Sequence, residues 1–243
     1  MKQLKIILSA HAWMKCFIHE ETDEIKKSGG WPAILILPGG GFRFCSEREG
    51  EPVAAAFYAR GYSAFVLDYT TVTKKPDATI DDPMNNAAAA LEWIRANGKS
   101  NCIDIDRIAM IGFSGGAHLA AAAVTHQPLK PKALLLGYPG ILHSELRALE
   151  CPDIVEKVDA DTPQTFIFST ADDTVTPPKH AMAFAKALND AGVEFEMHIF
   201  RSGPHGLSLA DETTACGHDM MINPRFAKWF DLCTGWLDEV LEA

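Results

Sequence analysis

No stretch of the chain approaches the roughly eighteen consecutive apolar residues that a membrane-crossing helix needs, so neither a spanning segment nor a membrane partner is expected. The amino terminus has only Ile6-Ile7-Leu8 before His11, with no small-residue cleavage pattern behind a long apolar core, which predicts no secretory leader and a cytoplasmic location. Six cysteines (Cys16, Cys45, Cys102, Cys151, Cys216 and Cys233) never fall in CxxC spacing, so a disulfide framework and a thiolate zinc site are not expected and the thiols read as reduced. The nine histidines form no ligand grouping, so no metal is anticipated. Basic residues are scarce as well. Lys and Arg number 22 against 32 acidic residues, for a net charge of −10, which argues against nucleic acid and favours a neutral or cationic small-molecule substrate. Repeats, low-complexity tracts and interdomain linkers are also missing.

What is present is enough apolar sequence, 47% of 243 residues, for one domain over 1–243 with a large core. Apolar runs at 4–9 and 12–19 predict two amino-terminal strands at an antiparallel edge, separated from the next run by the polar stretch 20–30. Continuous β-rich runs at 33–37 and 62–69 then alternate with helical patterns at 51–60 and from Asp82-Pro83 to Gly98, where Asp82 is expected to cap and Pro83 to occupy the first turn. Strands at 132–137, 165–169 and 194–200 follow, with a helix from Pro177-Pro178 to Gly192 and a last helix over about 224–241. This alternation predicts an α/β fold with a mostly parallel, doubly wound sheet and an antiparallel amino-terminal edge. The stretch 139–163, with a helical patch near 142–149, is the candidate for a short cap.

The chemistry is concentrated at Ile111-Gly112-Phe113-Ser114-Gly115-Gly116-Ala117-His118, which joins the apolar run 107–110 to the alanine-rich 119–124. A strand, a GxSxG turn and a helix form a nucleophile elbow, with the serine at the tip of a turn too tight for side chains two residues to either side. Ser114 is therefore the expected nucleophile. A serine hydroxyl needs a base within hydrogen-bond reach and an acid to orient that base. The adjacent pair Asp172 and Asp173 follows one strand and His205, in Gly203-Pro204-His205-Gly206, follows the last. Asp172 is preferred as the acid because it leads the Asp-x-x-Val-Thr-Pro pattern, with Asp173 as the alternative. His205 is preferred as the base over His218, while His118 sits on the departing helix and is expected to make local contacts. Backbone donors for an oxyanion are expected at Gly115 and, from the Gly39-Gly40-Gly41 loop, at Gly40 or Gly41.

Pro38-Gly39-Gly40-Gly41-Phe42, the stretch Ser46-Glu47-Arg48-Glu49-Gly50-Glu51-Pro52-Val53-Ala54, the elbow Gly112-Phe113-Ser114-Gly115-Gly116-Ala117-His118-Leu119, and Gly203-Pro204-His205-Gly206-Leu207 together resemble the acetyl-xylan-esterase-like branch of bacterial α/β-hydrolases. This branch is related to the hormone-sensitive-lipase-type esterases. The resemblance implies an α/β-hydrolase fold and hydrolysis of short acyl esters, often acetyl groups on sugars or xylo-oligosaccharides. It implies Ser114, Asp172 and His205 as the triad, no cofactor, and a small-molecule ester as partner, and it leaves homo-oligomerisation open. The chain departs from hormone-sensitive-lipase-type sequences in carrying Pro38 where those have histidine before the three glycines. Phe42, Glu47 and Arg48 are candidate substrate contacts; for Glu47 and Arg48 the favoured alternative is an ion pair that braces the oxyanion loop. A prolyl-oligopeptidase-type peptidase shares the triad order, and a hydrolase fold kept as a binding module is the non-enzymatic alternative.

Overall fold

Alternation of buried side chains along the strands decides the architecture. In β3 (Trp31–Leu37), Ala33, Leu35 and Leu37 enter one apolar cluster while Ile34 and Ile36 enter a second on the opposite face. A strand with both faces apolar must be covered on both sides. The computed structural model describes residues 1–127, 129–144 and 146–242. Its strands are β1 (Lys2–Ser9), β2 (Ala12–Ile18), β3, β4 (Ser63–Asp68), β5 (Ile103–Phe113), β6 (Ala133–Gly137), β7 (Gln164–Thr170) and β8 (Phe195–Phe200). The helices are α1 (Glu51–Ala59), α2 (Asp81–Asn97), α3 (Gly115–His126), α4 (Lys179–Asp190) and α5 (Lys228–Glu242). The strands form one eight-stranded sheet in the order β1-β2-β4-β3-β5-β6-β7-β8. β1 pairs antiparallel with β2 and β2 antiparallel with β4, whereas every pairing from β4 to β8 is parallel.

Buried residues of α2, α3 and α4 belong to the first cluster, and those of α1 and α5 to the second. The doubly wound sheet with an antiparallel edge is thus the observed architecture. No helix among the described residues is long and apolar enough to cross a membrane.

Three local expectations are corrected. Asp82 lies inside the first turn of α2, where its carboxylate accepts the Thr79 N–H at 2.9 Å and pairs with Lys75 at 3.0 Å. The last helix starts at Lys228 because Asn223 closes a separate turn ahead of it, its side chain accepting the Phe226 N–H and its carbonyl the Ala227 N–H. The described residues of 142–149 form bends and turns in place of a helix, position 145 lying outside the described residues. There the Arg147 guanidinium donates to the carbonyls of Gly140 and Leu142, and the Leu142 N–H is taken by His180 Nδ1 at 3.0 Å. Of these groups the Leu142 carbonyl is one that a helical patch would have paired with the N–H four residues on, and here the Arg147 guanidinium takes it.

Candidate active site

The carboxyl ends of β3, β5, β6, β7 and β8 deliver, in turn, the 38–42 loop, Ser114, Tyr138, Asp173 and His205 to one edge of the sheet. Ser114 adopts φ 53° and ψ −117° between β5 and α3. That conformation is costly for a residue with a side chain and persists only where its surroundings enforce it. The enforcement is steric. A Cβ on Gly112 would lie 2.2 Å from the Gly116 carbonyl oxygen, and one on Gly116 only 2.1 Å from the Leu37 carbonyl oxygen. Glycine at both positions lets α3 pack against the end of β3 and lifts the serine above the sheet.

Ser114 Oγ stands 2.8 Å from His205 Nε2, and His205 Nδ1 stands 2.7 Å from Asp173 Oδ2. A carboxylate can only accept, so Nδ1 carries the proton and Nε2 is left as the acceptor for the serine hydroxyl. The preferred acid, Asp172, is displaced from this role. It is exposed, and its Oδ1 accepts the Gly203 N–H at 2.7 Å, tethering the loop that carries His205. Asp173, with its side chain only 1% exposed, takes the inward position. Its Oδ1 accepts the N–H groups of Val175 and Thr176 at 2.8 and 2.9 Å. Burial opposes its charge, but the hydrogen bond and charge of His205 and these backbone donors outweigh that penalty and hold the carboxyl below its ordinary range. Thr176 Oγ1, 3.0 Å from Asp173 Oδ2 and 2.9 Å from the Tyr138 carbonyl, completes the packing round the pair. The Tyr138 ring meets His205 edge-on, with centroids 5.1 Å apart.

Gly40 and Gly41 have φ of 126° and 58°, and Gly115 lies directly against Gly41, so that a Cβ on Gly115 would come 3.1 Å from the Gly41 N and Cα. Among the described residues no protein group accepts from the N–H of Gly40, Gly41 or Gly115. Fixed, unpaired donors beside the serine are what a developing oxyanion requires.

Glu49 holds this loop in place, and the sequence reading passed over it. The residue is 3% exposed; its Oε2 accepts the Gly39 N–H at 2.7 Å and its Oε1 accepts the Tyr138 hydroxyl. Nothing in the spacing of Glu47, Glu49 and Glu51 shows which of the three faces inward. Replacement of Glu49 by Gln turns an amide N–H₂ toward a buried donor, with an expected loss of about 1–3 kcal/mol of stability. Thermal or urea unfolding of Glu49→Gln beside the wild type measures it; an unchanged midpoint would contradict the bracing role.

The serine opens into a cleft of about 500 Å³ whose lining includes Gly41, Phe44, Arg48, Leu146, Val175 and His205. Of the proposed substrate contacts, only Arg48 faces it. Phe42 is fully buried, packed against Tyr69 and His118 in the core, and the exposed aromatic beside the cleft is its neighbour Phe44. Glu47 is exposed and lies on a separate depression with Trp13 and Lys15. Among the described residues Glu47 and Arg48 form no ion pair; Arg48 instead donates to the Thr214 carbonyl at 3.0 Å. The cleft also carries Arg43 and Arg147, a local charge opposite to that of the whole chain.

His118 is buried with Nδ1 2.9 Å from the Gly140 carbonyl, and burial together with the nearby Arg147 pushes its imidazole down to about 3, so it stays neutral and anchors the cap. The cap segment meets the Gly39-Gly40-Gly41 loop through the Ala148 N–H, which donates to the Gly41 carbonyl at 2.9 Å.

Comparison with known proteins places the chain. The BD-FAE family model matches residues 22–130 and the Prolyl oligopeptidase family model residues 143–223. MGS-M1, an alpha/beta hydrolase enzyme from a Medee basin deep-sea metagenome library, superposes with a TM-score of 0.93 at 38% identity, over 100% of this chain and 99% of that one. A sugar hydrolase from Lactococcus lactis superposes with a TM-score of 0.89 at 31% identity, over 99% of both chains. An acetylxylan esterase of Xylanibacter ruminicola is 26% identical over 235 residues, 87% of this chain and 46% of that protein. The chain spans less than half the length of the first curated relatives it matches.

Proposed function

Since the chain belongs to the α/β-hydrolase superfamily, in its acetyl-xylan-esterase-like branch, we propose that it is a serine carboxylesterase acting on short acyl esters, with acetylated sugars or xylo-oligosaccharides as its substrate class. The observation that carries this reading is the continuous relay from Ser114 Oγ through His205 to Asp173, at 2.8 and 2.7 Å.

In the proposed cycle Ser114 Oγ attacks the ester carbonyl while His205 Nε2 takes its proton, and Asp173 stabilises the imidazolium that forms. The negative charge that develops on the carbonyl oxygen is met by the N–H groups of Gly115 and Gly41, with Gly40 holding the loop open. The imidazolium then returns the proton to the departing alcohol. Water, activated by His205, hydrolyses the acyl-enzyme. No metal or organic cofactor takes part.

Preference for a short acyl group rests on the similarity to an acetylxylan esterase. The test combines stoichiometric labelling of Ser114 by a fluorophosphonate, located by peptide mass spectrometry, with acetate release from acetylated xylo-oligosaccharides. Rates on 4-nitrophenyl acetate, butyrate and octanoate should fall in that order. Absence of labelling in the folded protein would remove the enzyme reading, and a preference for octanoate would remove the acetylesterase reading.

The match of 143–223 to the Prolyl oligopeptidase family model supports a second reading, peptide hydrolysis by the same relay. Assay on prolyl 4-nitroanilides separates the two, with no turnover expected.

A further inference from the structure

The rim of the cleft runs against the charge of the chain. The protein carries a net −10, yet the cleft is lined by Arg43, Arg48 and Arg147. Its carboxylate, Glu49, is buried with both oxygens taken by Gly39 and Tyr138. Among the described residues the ion-paired arginines are Arg60 and Arg107, both elsewhere, and neither Arg43, Arg48 nor Arg147 lies within ion-pair distance of a carboxylate. Arg147 is consumed by the cap, donating to the Gly140 and Leu142 carbonyls. Arg48 spends one N–H on the Thr214 carbonyl, and its Nη2 lies 3.3 Å from where a Cβ on Gly206 would stand, beside His205. Arg43 bonds the Leu146 carbonyl and reaches equally close to Gly41, on the opposite rim.

The reaction geometry gives these positions meaning. The alcohol oxygen of an ester must receive its proton from His205 Nε2, so the alcohol part of the substrate leaves on the His205 side. Arg48 is the charged group on that side with spare donors. A guanidinium offers a planar fork that fits a carboxylate through two parallel hydrogen bonds.

Resting on the esterase reading and narrowing its substrate class, we infer that the ester taken by this site carries a carboxylate on its alcohol part, bound by Arg48. An acetylated sugar acid, or an acetylated xylo-oligosaccharide that carries an acidic sugar, meets this requirement, and a neutral acetylated sugar is expected to be the poorer substrate. Arg43 contributes to the field from the opposite rim. A charge-assisted pair in a partly shielded cleft corresponds to about tenfold to a hundredfold in kcat/KM.

The test compares kcat/KM on 3-acetoxybenzoate and 3-acetoxybenzamide, which share ring and scissile bond and differ in charge, each corrected for its rate with hydroxide. The wild type is expected to favour the carboxylate by about tenfold or more. Arg48→Gln should bring that ratio near one, and Arg48→Lys should keep part of it, a pattern that a purely structural arginine would not produce. A wild-type ratio near one, or an undiminished ratio in Arg48→Gln, overturns the inference while leaving the esterase reading intact. Hydrolysis of neither ester, with phenyl acetate also untouched, overturns the esterase reading and this inference with it. Should Arg48→Gln fail to fold, inhibition of the wild type decides: 3-hydroxybenzoate is expected to inhibit more strongly than 3-hydroxybenzamide, and equal inhibition counts against a carboxylate site.

Discussion

Replacing Ser114 by alanine is expected to lower kcat on 4-nitrophenyl acetate by about 10⁴- to 10⁶-fold, leaving only what bound water and the oxyanion donors can achieve. The prediction isolates chemistry from folding. Alanine keeps the Cβ that already tolerates φ 53°, and the turn is held by Gly112 and Gly116 and by backbone bonds from the Ala117 and His118 N–H groups to the Ser114 carbonyl. None of these involves the hydroxyl. Circular dichroism and the thermal midpoint should therefore match the wild type within error. Residual activity within tenfold of the wild type, in protein freed of contaminating esterase, would show that another residue is the nucleophile.

Substitution of the two adjacent aspartates separates their roles. Asp173→Asn is expected to cost about 10⁴-fold in kcat, because an amide N–H₂ facing His205 Nδ1 favours the tautomer that carries its proton on Nε2, where the serine proton must go. The asparagine oxygen can still accept from Val175 and Thr176, so the turn survives and the loss falls on the rate. Asp172→Asn keeps an oxygen for the Gly203 N–H and should change kcat by less than about tenfold, the effect of one loop tether. Measured kcat values for the two variants on one ester decide the assignment; a larger loss at Asp172 would reverse it. The fold contributes here as well. Asp173 is buried and held below its ordinary range by His205, after the cost of burial, so it is charged at neutral pH and can stabilise an imidazolium.

The difficulty at 172–173 is general. After β7 the chain turns, and neighbouring residues point in opposite directions, so a shift of one position exchanges an outward carboxylate for an inward one. A single sequence offers two aspartates and no measure of that turn. Glu49 and Phe42 repeat the lesson: three glutamates lie within five residues, one turned into the protein, and an aromatic next to the glycine loop belongs to the core. Arg48 presents the converse case, reading as half of a local ion pair with Glu47 but finding its partner at Thr214, far along the chain.

By itself the sequence determined what depends on neighbours a few residues apart. Apolar periodicity marked the strands and helices, and the glycines around Ser114 marked a turn that only residues without Cβ atoms can make. Together these led to a doubly wound sheet with its loops gathered at one edge. Only the tertiary structure decided which of two adjacent carboxylates meets His205, which glutamate braces the Gly39-Gly40-Gly41 loop, and that three arginines line the cleft of an acidic protein. The reason is physical. Direction, burial and local charge arise from groups that the fold brings together across long separations in the chain, and spacing along the sequence does not encode them.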